Sequence, residues 1–236
     1  MKNIFRFLAK HKLAILAAIC CLVVQAYCDL ALPTYTSDVL NVGLQQGGIA
    51  DGVMDTVRAD SLETLELFMT DADAQTVEQA YTQPNASGVR TLRDDADRET
   101  LNNILRKPEV TVYQMRSSDK TKGAPEQIKA AVAAGAMTKE QLISQMDEAF
   151  SEMGDMTDTF LTEIAVNYVS AEYQAQGIDL NQVRNAYLFA VGGKMLLMAV
   201  IMAIAAILVG LIASVTSSKV GRDLRTSIYE KVMQFT

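Results

Sequence analysis

The chain has 236 residues, of which 50% are hydrophobic and 21% charged, and it carries a formal net charge of −7. That is too apolar on average for an acidic soluble protein and too charged for a wholly embedded one, so the two characters must occupy different segments. The acidic stretch holds no cluster of Lys and Arg, which excludes nucleic acid as a partner, because phosphate binding needs such a cluster.

Residues 1–12 form a basic leader with Lys2, Arg6, Lys10 and Lys12 and no acidic residue. Residues 13–35 are predicted as transmembrane helix 1, since the apolar run from Leu13 to Leu32 has about the 20 residues that a helix needs to cross a bilayer. The run is read as a retained span, because the small residues that a signal peptidase needs are missing before Asp29. All three cysteines, Cys20, Cys21 and Cys28, fall in it, so no disulfide framework is expected and they are read as small apolar packers. Cys21, Gln25, Cys28, Asp29 and Leu32 share one helical face. A charge near the hydrocarbon costs about 2.5–3.5 kcal/mol, so Asp29 should face protein or water. It either caps or bonds a neighbouring helix at the outer boundary or, with Gln25, lines a translocation path.

Residues 36–186 are predicted as an extracellular, mostly helical insertion. From Pro33 to Ala186 there are 25 acidic and 12 basic residues, a net −13. Pro33 is expected to bend the first helix, and Gly47-Gly48 to end its amphipathic continuation. Helices are predicted over Asp51–Met69, Asp94–Arg106 and Pro125–Ala134, with breakers at Pro84–Gly88, Pro108 and Gly123 and a short strand over Glu109–Met115. Thr138 and Gln141 form a capping box, after which Leu142, Ile143, Met146, Phe150 and Met153 recur at helical spacing. A further helix over Asp155–Gln176 places Met156, Phe160, Ile164 and Tyr168 at intervals of four, until Gly177 stops it. Asp179 is then placed to cap a helix that runs into the second span.

Residues 187–217 are predicted as transmembrane helix 2, with no charge between Met195 and Val215. Ala199, Ala203, Ala206, Gly210, Ala213 and Ser217 make a seam of small residues where another helix can approach closely. Lys194 is expected to snorkel to the interface. Residues 218–236 are read as a cytoplasmic extension of the same helix, with Val220, Leu224, Ile228 and Val232 at intervals of four and Arg222, Asp223, Arg225 and Glu230 around them. This stretch forms an amphipathic rod or lies on anionic lipid. Both basic flanks place the termini in the cytoplasm, because short flanks are sorted by their Lys and Arg whereas long segments cross regardless of charge. There is no GxxxxGK[ST] phosphate loop, no HExxH and no metal-ligand spacing, and the single histidine, His11, sits in the leader. The chain alone is expected to hydrolyse nothing and to hold no cofactor.

The stretch from Gln25 to Gly43 (QAYCDLALPTYTSDVLNVG), followed by QQGGI at 45–49, resembles the first membrane helix of bacterial ABC exporters of the multidrug type. The stretch from Ser217 to Val232 (SSKVGRDLRTSIYEKV) is similar to the cytoplasmic extension of the second helix in that family, which leads to the first coupling loop. Together the two cover about forty residues, at the two membrane regions. The resemblance implies an all-α membrane protein, specifically an N-terminal fragment of an exporter subunit with fused transmembrane and ATP-binding parts and a long extracellular insertion between helices 1 and 2. It implies ATP and Mg in a nucleotide-binding domain beyond this sequence. It also implies partners: the lipid bilayer, the remaining membrane helices, that domain, and a homo- or heterodimeric second subunit in a bacterial cell membrane. In that frame Gln25 and Asp29 are candidates for the translocation path of a multidrug or lipophilic substrate, and Arg222, Asp223 and Arg225 for the rod that transmits nucleotide-driven motion. The competing class is a two-span bacterial sensor or receptor with an extracellular helical sensor domain. Against it stand the Asp29–Pro33 region, the lack of a proline-marked linker after Ser218, and the small-residue seam.

Overall fold

The computed structural model describes residues 12–118, 121, 123–152 and 158–233. It is 78% helical. In chain order the elements are α1 (Lys12–Asp38), continued by a wider helical turn over Val39–Gln45; β1 (Thr56–Arg58); α2 (Ala59–Glu66); and α3 (Asp71–Ala80). Then follow β2 (Val89–Thr91), α4 (Arg98–Ser117), α5 (Ala124–Ala133), α6 (Lys139–Glu152), α7 (Asp158–Ala175) and α8 (Leu180–Met233). The chain divides into two compact units, one of residues 1–40 and 189–236 and one of residues 41–188.

The first unit consists of α1 and the greater part of α8. Both helices are long and apolar enough to cross a membrane, and only 6% of each apolar stretch is buried within the protein. That low burial separates them from the core helix of a soluble domain, which hides its apolar side chains. Leu13, Leu16, Tyr27 and Leu30 on α1, and Leu196, Leu197, Ile207 and Leu211 on α8, are all more than half exposed. Such a surface is unfavourable in water by about 25 cal/mol for each Å² and neutral in lipid. Proline does not end α1, which passes through Pro33 to Asp38, with the Thr36 hydroxyl donating to the Leu32 carbonyl at 3.0 Å. The 54 residues of α8 amount to about 80 Å of helix, more than the hydrocarbon needs.

The second unit has its own core. Met54, Val57, Leu65, Val77, Tyr81, Leu105, Val112, Tyr168 and Val169 are almost completely buried together, and Val110 packs with Leu161 and Ala165 in a smaller cluster. The most extensive pairing is α4 against α7. The helical continuation of α1 ends at Gln45, just before Gly47-Gly48, as expected. Gly48 has φ +87, and a Cβ there would stand 2.7 Å from Arg184 Cα, so only glycine fits the turn. The capping box forms as predicted, with the Thr138 amide donating to Gln141 Oε1 at 3.1 Å and the Gln141 amide to Thr138 Oγ1 at 3.4 Å. Asp179 caps α8 through the Asn181 amide at 2.9 Å, and Gly177, at φ +78, follows the end of α7.

Three local expectations are corrected. Asp51–Met69 is not one helix: residues 56–58 pair antiparallel with β2, Val57 opposite Arg90, and α2 starts only at Ala59. Pro108 is not a breaker, and Glu109–Met115 is not a strand, since α4 runs unbroken from Arg98 to Ser117. The proline costs about 3 kcal/mol inside a helix. Burial of Leu101, Leu105, Val110 and Val112 offsets that at roughly 1.5–3 kcal/mol each. On α7 the buried stripe is Leu161, Ala165, Tyr168, Val169 and Tyr173, with Phe160 44% exposed; Met153 and Met156 lie outside the described residues.

Candidate functional site

In the membrane-helix unit, the face predicted on α1 divides. Cys28 is buried and Cys21, Gln25 and Leu32 are half-buried, whereas Asp29 is exposed. On α8 the covered stripe is Val191, Met195, Met198, Met202, Ala205, Val209, Ile212 and Thr216. The small-residue seam sits one residue further round: Ala199 is half-buried and Ala203, Ala206, Gly210, Ala213 and Ser217 are exposed. Among the described residues, nothing lies within 4 Å of a Cβ placed at Gly210. A small cavity of about 230 Å³ between Ala14 and Leu211, Ile212, Val215, Thr216 and Lys219 sets the start of α1 beside the later half of α8. Arg222 and Arg225 are exposed on the unbroken helix, and Arg222 reaches Asp223 at 3.6 Å. His11 and the leader lie outside the described residues.

The second unit contains polar chemistry that the periodicities did not reveal. The loop 51–55 is held from three elements. From α4, Arg98 donates to Asp51 Oδ1 at 2.9 Å, Asp55 Oδ1 at 2.6 Å and the Val53 carbonyl at 2.9 Å, while Asn102 Oδ1 accepts from the Gly52 amide at 2.9 Å. From the end of α3, the Tyr81 hydroxyl donates to the Met54 carbonyl at 2.8 Å. From α7, the Tyr173 hydroxyl accepts from the Asp55 amide at 2.8 Å. Burial pushes the Tyr173 hydroxyl up to about 12.

Next to Tyr173 on α7, the buried Glu172 carboxylate accepts from the Arg58 amide (3.0 Å), Arg58 Nε (2.9 Å), Arg58 Nη2 (2.8 Å), the Ser61 hydroxyl (2.8 Å) and Gln176 Nε2 (3.2 Å). It serves as a remote cap for α2, whose N-cap Arg58 has no side-chain cap of its own. Burial works to raise its pKa, but the bonds from Arg58 and Ser61 outweigh it and hold the carboxyl below the ordinary range.

Glu109 is the opposite case. It is fully buried, neither carboxyl oxygen has a hydrogen-bond partner among the described residues, and burial, reinforced by Asp51, drives its pKa well above the ordinary carboxylate value. The buried Tyr168 hydroxyl is also without a partner. Arg98, Asn102, Leu105 and Glu109 follow the i, i+4, i+7, i+11 spacing of one helical face, so the face that grips the loop ends in a buried acid. The signal for both acids was present in the sequence: Glu109 follows Leu101 and Leu105, and Glu172 follows Ala165 and Val169, each at apolar-stripe spacing.

A groove of about 330 Å³ opens between α4, α5 and α6, lined by Phe68, Met115, Ile128, Met137, Met146 and Phe150 among others, with no charged residue in its wall among the described residues. Among the described residues no group of three or more His, Cys, Asp or Glu is placed to hold a metal.

These two units define a mostly helical protein with two helices able to span a membrane and a separately cored segment between them. Compared with protein-family models, curated proteins and solved structures, the chain shows no match.

Proposed function

We propose that this chain is the N-terminal part of the transmembrane domain of an ATP-driven exporter of multidrug or lipophilic substrates. The observation that carries the reading is α8: one unbroken helix from Leu180 to Met233 whose apolar stretch passes into the charged Lys219–Arg225 segment without a break. A rigid rod that outruns the bilayer is what transmission of nucleotide-driven motion to a membrane cavity requires. The likeness of residues 25–49 and 217–232 to that family supports the same reading.

In this reading the open face of Ala203, Ala206, Gly210 and Ala213 receives further helices, where small side chains allow close approach. Gln25 is half-buried on α1, and the exposed Asp29 carries the charge that must meet protein or water. Residues 36–186 lie outside the cell, and both ends lie in the cytoplasm. ATP and Mg bind to sequence beyond this chain, which has no phosphate loop to hold them. Arg222, Asp223 and Arg225 contribute charge to the transmitting rod.

The test is to read the coding sequence past the codon for Thr236 and assay the whole product for ATP-dependent efflux. Four further apolar spans followed by a phosphate loop and signature sequence support the exporter. A linker leading to a kinase or a methyl-accepting helix sinks it in favour of the two-span receptor, for which the groove between α4, α5 and α6 would be the natural ligand pocket.

A further inference from the structure

The loop 51–55 begins a few residues after the helix α1 and its extension end at Gln45, and its backbone is gripped from α3, α4 and α7 at once. Against this loop lies a carboxyl that the grip does not use. The Glu109 side chain packs directly on Gly52, where a Cβ would collide with Oε2 and stand 3.3 Å from Asn102 Oδ1. The acid is 0% exposed and its two oxygens are unpartnered.

Among the described residues, the groups that face it offer no compensating positive charge. Asp51 approaches from the loop, Tyr81 from the end of α3 and Tyr168 from α7, and all three are coupled to it only as acids. On its own helix, Asn102 presents its carbonyl oxygen to the Gly52 amide. A neutral carboxyl is tolerable in such a place, whereas a carboxylate with no donor and no counter-charge is strongly unfavourable.

We infer that Glu109 is a proton-operated latch: loop 51–55 is seated against α4 while the carboxyl is protonated and is released when it is not. On alkalinisation the Glu109 O–H bond breaks, the proton passes to solvent, and the carboxylate reaches water only by displacing Gly52 and its Asn102 hydrogen bond. Arg98, on the solvent side of the same face, stays with Asp51, Asp55 and the Val53 carbonyl, so release starts at Gly52 rather than at the salt bridges. The latch sits where the chain leaves its first apolar helix, and it requires no ligand other than the proton.

Hydrogen exchange on the whole chain in detergent micelles tests this, with rates corrected for the intrinsic pH dependence of exchange. Between about pH 5 and pH 9, protection at Gly52 in the wild type should fall, by roughly tenfold for each pH unit past the point where Glu109 titrates. Protection at Leu62 and Leu65 should change far less. In Glu109→Gln the loss should vanish. Protection at Gly52 that is independent of pH in the wild type, or a loss of the same size in Glu109→Gln, overturns the latch. Because the wild-type profile alone decides the first point, the test survives a variant that does not fold.

Discussion

Replacing Glu172 with alanine should destabilise the 41–188 unit by about 3–5 kcal/mol. Removal of the carboxylate leaves the Arg58 amide and the 1%-exposed Ser61 hydroxyl without their acceptor, at about 1–3 kcal/mol each. The Arg58 side chain is 41% exposed, so its guanidinium rehydrates and the ion pair itself contributes at most about 1 kcal/mol. The emptied space beside β1 adds a cavity cost, and the total is a large share of the roughly 5–15 kcal/mol that holds a domain together. Urea unfolding of the whole chain in detergent, followed by near-ultraviolet dichroism of Tyr81, Tyr168 and Tyr173, gives the number. Glu172→Gln should lose less, about 1–2 kcal/mol, because an amide oxygen still accepts from Arg58. A loss below about 1 kcal/mol in the alanine variant would falsify the assignment of this carboxylate as the pin between α7 and the start of α2.

The two buried acids make opposite contributions to the pH dependence of stability. Glu172 has a lowered folded pKa, so its contribution is present above the unfolded carboxylate range and is lost as pH falls through the folded value. Glu109 has a raised one, so stability declines as pH rises from the unfolded value towards the folded value. Glu109→Gln should therefore match the wild type at about pH 4 and exceed it above neutrality; thermal melts of both proteins across that range check the sign. Gly48→Ala should cost about 2–4 kcal/mol in the same urea assay, combining positive-φ strain with contact on the Arg184 backbone. Thr138→Ala removes the N-cap acceptor of α6 and should lower helix content by circular dichroism, at about 1 kcal/mol. Leu105→Ala, at a fully buried position in the α4 stripe, should cost about 2–5 kcal/mol in urea titration.

What the residues alone determined is whatever depends on neighbours in sequence. The two long apolar runs required helices with lipid-like surroundings. Gly47-Gly48 and Gly177 ended helices because backbone sterics are local, and the Thr138–Gln141 box formed because its partners lie within one turn. What the sequence could not decide was every outcome in which a distant partner outweighed a local preference. Pro108 read as a breaker, but α4 gains more from packing on α7 than the missing N–H costs. Residues 56–58 read as helix until β2 supplied hydrogen bonds from more than thirty positions away. Glu109 and Glu172 looked like ordinary acids in a segment of net −13. Only the tertiary structure set one among five donors and the other among none, and burial then pushed the same side chain in opposite directions.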